Sequence, residues 1–204
     1  MKLNIQGRLF LWLISCFFST SAYSDSGFST YEIKKLLRHK IAIIYELAAN
    51  PMLIEEVKQR NELNIPLTYI KNIDSQWKSY PDDHHIKTSM YSSPAGAYLK
   101  ARVDARDSIF SEIFLTDGQG ANITAWPITT DYWQGDEAKW GRSFNNGKGD
   151  IHIGNLEFDE SSQKNAIQVS VPIIDEGRAI GVLIAGIKIT YIQAKYLNSK
   201  YKTD

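Results

Sequence analysis

Cysteine is nearly absent from this sequence: among 204 residues there is one, Cys16. It lies in the apolar run Leu9 to Phe18, behind Lys2 and Arg8, with no acid in this segment and the small polar stretch Ser19 to Ser24 after it. That order is the three-part layout of an export signal, and Ala22 and Ser24 put small residues where a signal peptidase cuts, before Asp25. Residues 1–24 are therefore expected to be a leader and 25–204 a single domain in the periplasm or outside the cell. Once the leader is removed no cysteine remains, which excludes disulfides, thiolate metal sites and thiol catalysis.

Long hydrophobic runs are missing too. The leader's apolar stretch is short against the roughly 20 residues of a spanning helix, and no later segment is longer, so no membrane span is expected in the mature chain. Two alternatives remain for the leader: an uncleaved anchor, or lipidation at Cys16, since Leu13-Ile14-Ser15-Cys16 fits a loose lipoprotein pattern. Against lipidation, the apolar stretch before Cys16 is very short and Phe17-Phe18 follows it directly. An excess of charge of either sign is the third absence. The 23 basic and 23 acidic side chains balance, and losing Lys2 and Arg8 leaves −2, which gives no electrostatic reason to expect nucleic acid or an anionic membrane as partner.

What is present reads as helices first and strands afterwards. Ile33, Leu36, Leu37, Ile41, Ile44, Leu47 and Ala48 recur at three- and four-residue steps, predicting a helix over Thr30 to Ala49. Asn50-Pro51 reads as an N-cap with proline at the first helical position, opening a second helix to Asn61. A third is expected from Leu67 to Trp77, then a long irregular connection from Ser79 to Gly96. From Asp107 short β-rich runs alternate with turn signals: Phe110 to Leu115, a turn at Thr116 to Gly120, and Ala121 to Trp126. A short helix is expected over Asp136 to Phe144. Ile151 to Phe158 is a strand whose apolar parity changes, placing a bulge at Gly154-Asn155. Ile167, Val169 and Val171 alternate with Gln168 and Ser170, and Asp175-Glu176-Gly177 turns the chain. Ala179 to Ile189 is nearly all apolar, with Gly181 and Gly186 set into it, as in the centre of a covered sheet. Helices followed by an antiparallel meander give one α+β domain with the long N-terminal helix along the sheet.

Residues 126–140 gather Trp126, Trp133, Trp140 and Tyr132 with Asp131, Asp136 and Glu137. Aromatic walls with carboxylates suit a small amphipathic or cationic ligand; the same residues would also serve as a Trp-rich loop packed on the sheet. The series IFLTDGQGANIT, TTDYWQGDEAKW, IHIGNLEFDESSQ and IQVSVPIIDEGRAIGVLIAGI resembles the extracytoplasmic Cache, or PDC, superfamily of PAS-like sensor domains over residues 30–197. The resemblance implies a PAS-like antiparallel sheet of about five strands with a small-molecule pocket on one face, walled by the loop after the second strand. It places Asp131, Tyr132, Trp133 and Trp140 in the pocket wall, Asp159 where amino-acid-sensing members keep an amine-binding Asp, and Ser170 on the polar strand face. Those members grip a carboxylate with an Arg-x-Trp-Tyr element; here Thr130 and Asp131 precede Tyr132-Trp133, which points to an amine or another cation.

The expectation is a non-enzymatic, exported sensor module without a cofactor or an output domain of its own. It would bind a small amine, amino-acid-like or other polar ligand at Trp126, Asp131, Tyr132, Trp133, Trp140, Asp159 and Ser170, and relay to a separate membrane signalling protein. Two alternatives are a small hydrolase using Asp131, Asp136 and Glu137, and a protein-interaction module using the Trp-rich loop. His84-His85 reads as a solvated turn before a metal site, and His152 as an ordinary strand position before a ligand. Ser161-Ser162 and Ser170 have no histidine at a telling spacing. Asp117-Gly118-Gln119-Gly120 reads as a plain turn, lacking the alternating acids of a calcium loop.

Overall fold

The structure is a computed structural model that describes residues 30–200; the leader, its cleavage site and Cys16 lie outside the described residues. Helix α1 (Thr30–Ala48) turns Leu37, Ile44, Leu47 and Ala48 inward, as the three- and four-residue spacing requires. Asn50 caps α2 (Pro51–Glu62) by accepting from Met52 N at 2.9 Å, and α2 buries Leu53 and Val57. Helix α3 (Leu67–Gln76) buries Ile70 and Ile73 and tightens into a 3-10 turn at Trp77–Ser79.

The expected irregular stretch from Ser79 to Gly96 is instead largely helical. Helix α4 (His85–Ser92) starts at His84, whose Nδ1 accepts from Ile86 N at 3.3 Å. Helix α5 (Pro94–Asp104) starts at Ser93, whose Oγ accepts from Gly96 N at 3.0 Å, with Pro94 at the first position. Each cap satisfies an N–H that the first turn would otherwise leave unpaired. Met90, Ala95 and Leu99 are the apolar residues these helices bury.

The strands are β1 (Phe110–Thr116), β2 (Asn122–Trp126), β3 (His152–Asp159), β4 (Lys164–Asp175) and β5 (Arg178–Lys188). They form one antiparallel sheet in the order β2-β1-β5-β4-β3. The chain does not run as one continuous meander: the β1–β2 hairpin and the β3–β4–β5 meander are joined where β5 pairs with β1, the PAS-like order. The register of β3 on β4 shifts between Ile153 and Leu156, where the parity change placed the bulge. Helix α6 (Ala138–Phe144) begins two residues later than expected, leaving Asp136 outside and Glu137 at the N-cap. The last strand ends at Lys188, and α7 (Ile189–Lys200) follows.

Alternation along the strands divides the interior in two. Ile113, Leu115, Ile167, Val169, Val171, Leu183, Ala185 and Ile187 face α1, α2, α5 and α7. Phe114, Val182 and Ile184 face the other way, toward Ile70, Ile73, Trp77, Met90 and Tyr132. The first layer is apolar apart from Thr124, which pairs with Leu115; the second carries Glu112, Gln168 and Ser170.

Candidate functional site

On that second face the sheet supplies Glu112, Gln168 and Ser170, since Glu112 and Gln168 both pair with Gly186 and Ser170 pairs with Ile184. Gly186 leaves room there, because a Cβ at this position would lie 2.9 Å from Glu112 Cγ. Glu112 is 1 % exposed. Its Oε1 accepts from Gln168 Nε2 at 2.7 Å and its Oε2 from Ser161 Oγ at 2.7 Å. Burial, reinforced by the charge of Asp159, raises the Glu112 carboxyl above its ordinary range. Asp159 closes β3: Ser161 Oγ lies 2.9 Å from its Oδ2, which also accepts from Ser162 N at 2.8 Å.

Above this floor, α6 and strands β3 and β4 enclose a cavity of about 490 Å3. Its charged lining is Glu137, Glu157, Asp159 and Glu160 against Lys139 and Arg142. His152, Phe158 and Gln168 are among the residues that the sheet contributes to its lining. Four carboxylates against two fixed cations, over a buried Glu112, make the negative side the stronger one. Among the described residues no group of three or more His, Cys, Asp or Glu side chains is placed to hold a metal ion.

The seven residues singled out from the sequence do not all meet. Asp159 lines the cavity. Ser170 lies in the sheet, fully buried, its Oγ without a hydrogen-bond partner. Trp140 is on α6, stacked on Phe144 with ring centroids 4.7 Å apart. Asp131 is half-buried, accepts from Gln134 Nε2 at 2.5 Å, and has its carboxyl raised mainly by burial. Trp133 bridges back to the β1–β2 turn, pairing with Ala121 and donating from Nε1 to the Gln119 carbonyl at 2.8 Å, with Lys71 Nζ 4.3 Å from its ring centroid. Tyr132 packs on Trp77 at 5.3 Å, and its Oη accepts from Arg60 Nη2 at 2.5 Å. Trp126 pairs with Ile113 and so shares the face of the first core, opposite Phe114 and Ala125. Its Nε1 donates to Asp104 at 2.8 Å and Lys100 Nζ lies 3.6 Å from its ring centroid, both on α5.

The weaker candidates find local roles. His84 caps α4 and stacks on Tyr80 at 4.1 Å. Asp117 closes the β1–β2 turn, its Oδ1 accepting from Gln119 N and Ala121 N, while Oδ2 lies 3.5 Å from Arg60 Nε. His152, on β3, pairs with Ser170 on β4 and lines the cavity. Glu112, Glu157, Lys139 and Arg142 were not anticipated. The available signal was Glu112 itself, an acid inside the apolar strand Phe110–Thr116.

No protein-family model matches the sequence, and no curated protein matches it. Among solved structures the chain is similar to the sensor domain of E. coli DcuS, with 18% identity over 81% of this chain and 98% of that one and a TM-score of 0.49. For the sensor domain of the V. cholerae histidine kinase DctB the identity is 14%, over 81% of this chain and 57% of that one, with a TM-score of 0.41. For the ligand-binding domain of the Pseudomonas aeruginosa amino acid chemoreceptor PctC, solved with GABA, it is 18%, over 77% and 67%, with a TM-score of 0.39. The chain thus spans little more than half of the DctB sensor domain. In its own strand order the chain has a PAS-like α+β fold, and sensor domains are among the solved structures to which it is similar.

Proposed function

We propose that this domain is the ligand-binding module of an extracytoplasmic sensor, non-enzymatic, which takes a small amine-bearing or amino-acid-like molecule and relays its presence to a separate membrane signalling protein. The observation that carries this reading is the cavity between α6 and the β3–β4 half of the sheet. It is of ligand size, its carboxylates outnumber its fixed cations, and Glu112 is buried beneath it. The amine would sit between Asp159 and Glu157, and Lys139 and Arg142 would meet a carboxylate where the ligand has one. Export rests on residues 1–24 alone.

The test is thermal shift and tryptophan fluorescence on the purified domain with putrescine, γ-aminobutyrate, lysine, glycine betaine and succinate. A ligand at a hundred times its Kd stabilises by about 2.7 kcal/mol, which a melting curve resolves. At least one amine-bearing compound is expected to raise the midpoint, and Asp159→Asn to remove the shift while leaving the unliganded midpoint within a few degrees. A shift with succinate alone, or an amine shift that survives both Asp159→Asn and Glu157→Gln, overturns this reading.

A further inference from the structure

A second cavity, of about 410 Å3, lies between α2, α4 and the edge strand β2. Its wall combines apolar Ile86, Met90 and Ile123 with Arg60, Asn122 and Tyr132. Arg60 is held in place by the Tyr132 hydroxyl and by the buried Asp117 carboxylate. A guanidinium has five N–H groups, and the buried Arg60 Nε has Asp117 at 3.5 Å but no hydrogen-bond acceptor. Asn122 is 2 % exposed. Its Nδ2 donates to Thr129 Oγ1 at 2.7 Å and to the Asp131 carbonyl at 3.1 Å, which fixes the amide's orientation, and its Oδ1 accepts from nothing. A buried acceptor left so costs about 1–3 kcal/mol, which an occupant's donor would recover.

We propose that this cavity is a second binding site, for a small hydroxy acid: the carboxylate on Arg60, the hydroxyl donating to Asn122 Oδ1, and the hydrocarbon body against Ile86, Met90 and Ile123. The two cavities differ in charge balance: this one sets Arg60 against a single carboxylate on its wall, Glu56, whereas the first sets two cations against four carboxylates. They share one piece of chain. Thr130 lines the first and Tyr132 the second, and Asn122 holds the segment between them through Thr129 and Asp131. A ligand that engages Asn122 and Tyr132 therefore steadies a wall of the other cavity.

Isothermal titration of the whole domain with 3-hydroxybutyrate and 4-hydroxybenzoate, against butyrate, benzoate and 4-hydroxybenzylamine, tests this. At least one hydroxy acid is expected to bind saturably, its deoxy partner about tenfold more weakly, and the amine not at all. Ser89 is exposed on α4 at the cavity wall, so Ser89→Phe should block binding without lowering the melting midpoint. Arg60→Lys, which keeps the charge beside Asp117, should weaken it. Asp159→Asn should leave it unchanged, so failure of the amine reading does not disturb this one. Amide exchange over residues 129–134 should slow when the hydroxy acid binds. No binding by either hydroxy acid at millimolar concentration, equal binding to Ser89→Phe, or exchange that does not slow overturns the proposal.

Discussion

Ser161 Oγ lies 2.7 Å from Glu112 Oε2 and 2.9 Å from Asp159 Oδ2, so one hydroxyl stands between two carboxylates. A serine has a single proton to donate and cannot satisfy both when both are ionised. Protonation of Glu112 would resolve the conflict, since its carboxyl could then donate to Ser161 Oγ and leave the serine's own proton for Asp159. The buried member of the pair is the one whose carboxyl burial raises, so of the two it is Glu112 that protonation favours.

Stability should therefore depend on pH through Glu112. A carboxyl raised in the folded state contributes stability that is fully present below the unfolded carboxylate range and is lost as pH rises through the folded value. Asp117 and Asp131, also raised chiefly by burial, act in the same sense. Asp104, lowered chiefly by its hydrogen bond to Lys100, acts oppositely and only in acid. Melting midpoints of the wild type are expected to fall as pH climbs above the ordinary carboxylate range. Glu112→Gln, which can accept from Gln168 and donate to Ser161, should flatten that fall. Parallel curves for the two proteins would show that Glu112 is not the titrating group.

Periodicity made α1, the alternation of β4 and the β3 bulge legible, because each is a repeat or a break in a repeat. It hid α4 and α5. They are short, of 8 and 11 residues, and too few apolar positions recur to show a period. The Ser93-Pro94 start was the same signal as Asn50-Pro51. The site was less legible than the fold, since nearness along the chain is not nearness in space. Trp126 and Asp131 are five residues apart, yet strand alternation turns Trp126 toward α5 on the opposite face. Glu112 comes to Asp159 only through the β3–β4 turn, a contact between positions 49 residues apart at Ser161 that no local pattern contains.

Trp77→Phe should loosen the wall shared by the two cavities. Trp77 is 1 % exposed, and its Nε1 donates to the Thr129 carbonyl at 2.8 Å. Phenylalanine keeps most of the packing on Tyr132 and leaves that buried carbonyl unpaired, a loss of about 1–3 kcal/mol. A lower urea midpoint is expected together with faster amide exchange at residues 129–132. A lower midpoint with unchanged exchange there would mean that the indole acts by volume alone.

Ser170→Ala should do the reverse. The Ser170 hydroxyl is fully buried with no partner, so removing it deletes an uncompensated polar group and very little volume. Denaturant unfolding should show stability unchanged or higher by up to about 1 kcal/mol. Ser161→Ala, which removes the bridge between Glu112 and Asp159, should lose stability. A loss at Ser170 comparable to that at Ser161 would reveal a partner for the Ser170 hydroxyl.

Gly181 sets how closely α2 lies on the sheet. It is buried on β5 opposite Ile173, and a Cβ there would overlap the Thr116 carbonyl and come within 2.9 Å of Val57 Cγ1 on α2. Backbone on the one side cannot give way, and Val57, fully buried, can move only by shifting the helix. Gly181→Ala should cost about 1–3 kcal/mol by overpacking, seen as a lower urea midpoint with an unchanged slope. Val57→Ala in the same chain relieves only the contact with α2. If the double variant recovers part of the Gly181→Ala loss, the helix contact carries that part, and what remains belongs to the overlap with Thr116. Simple additivity of the two losses would mean that the helix contact carries none of it.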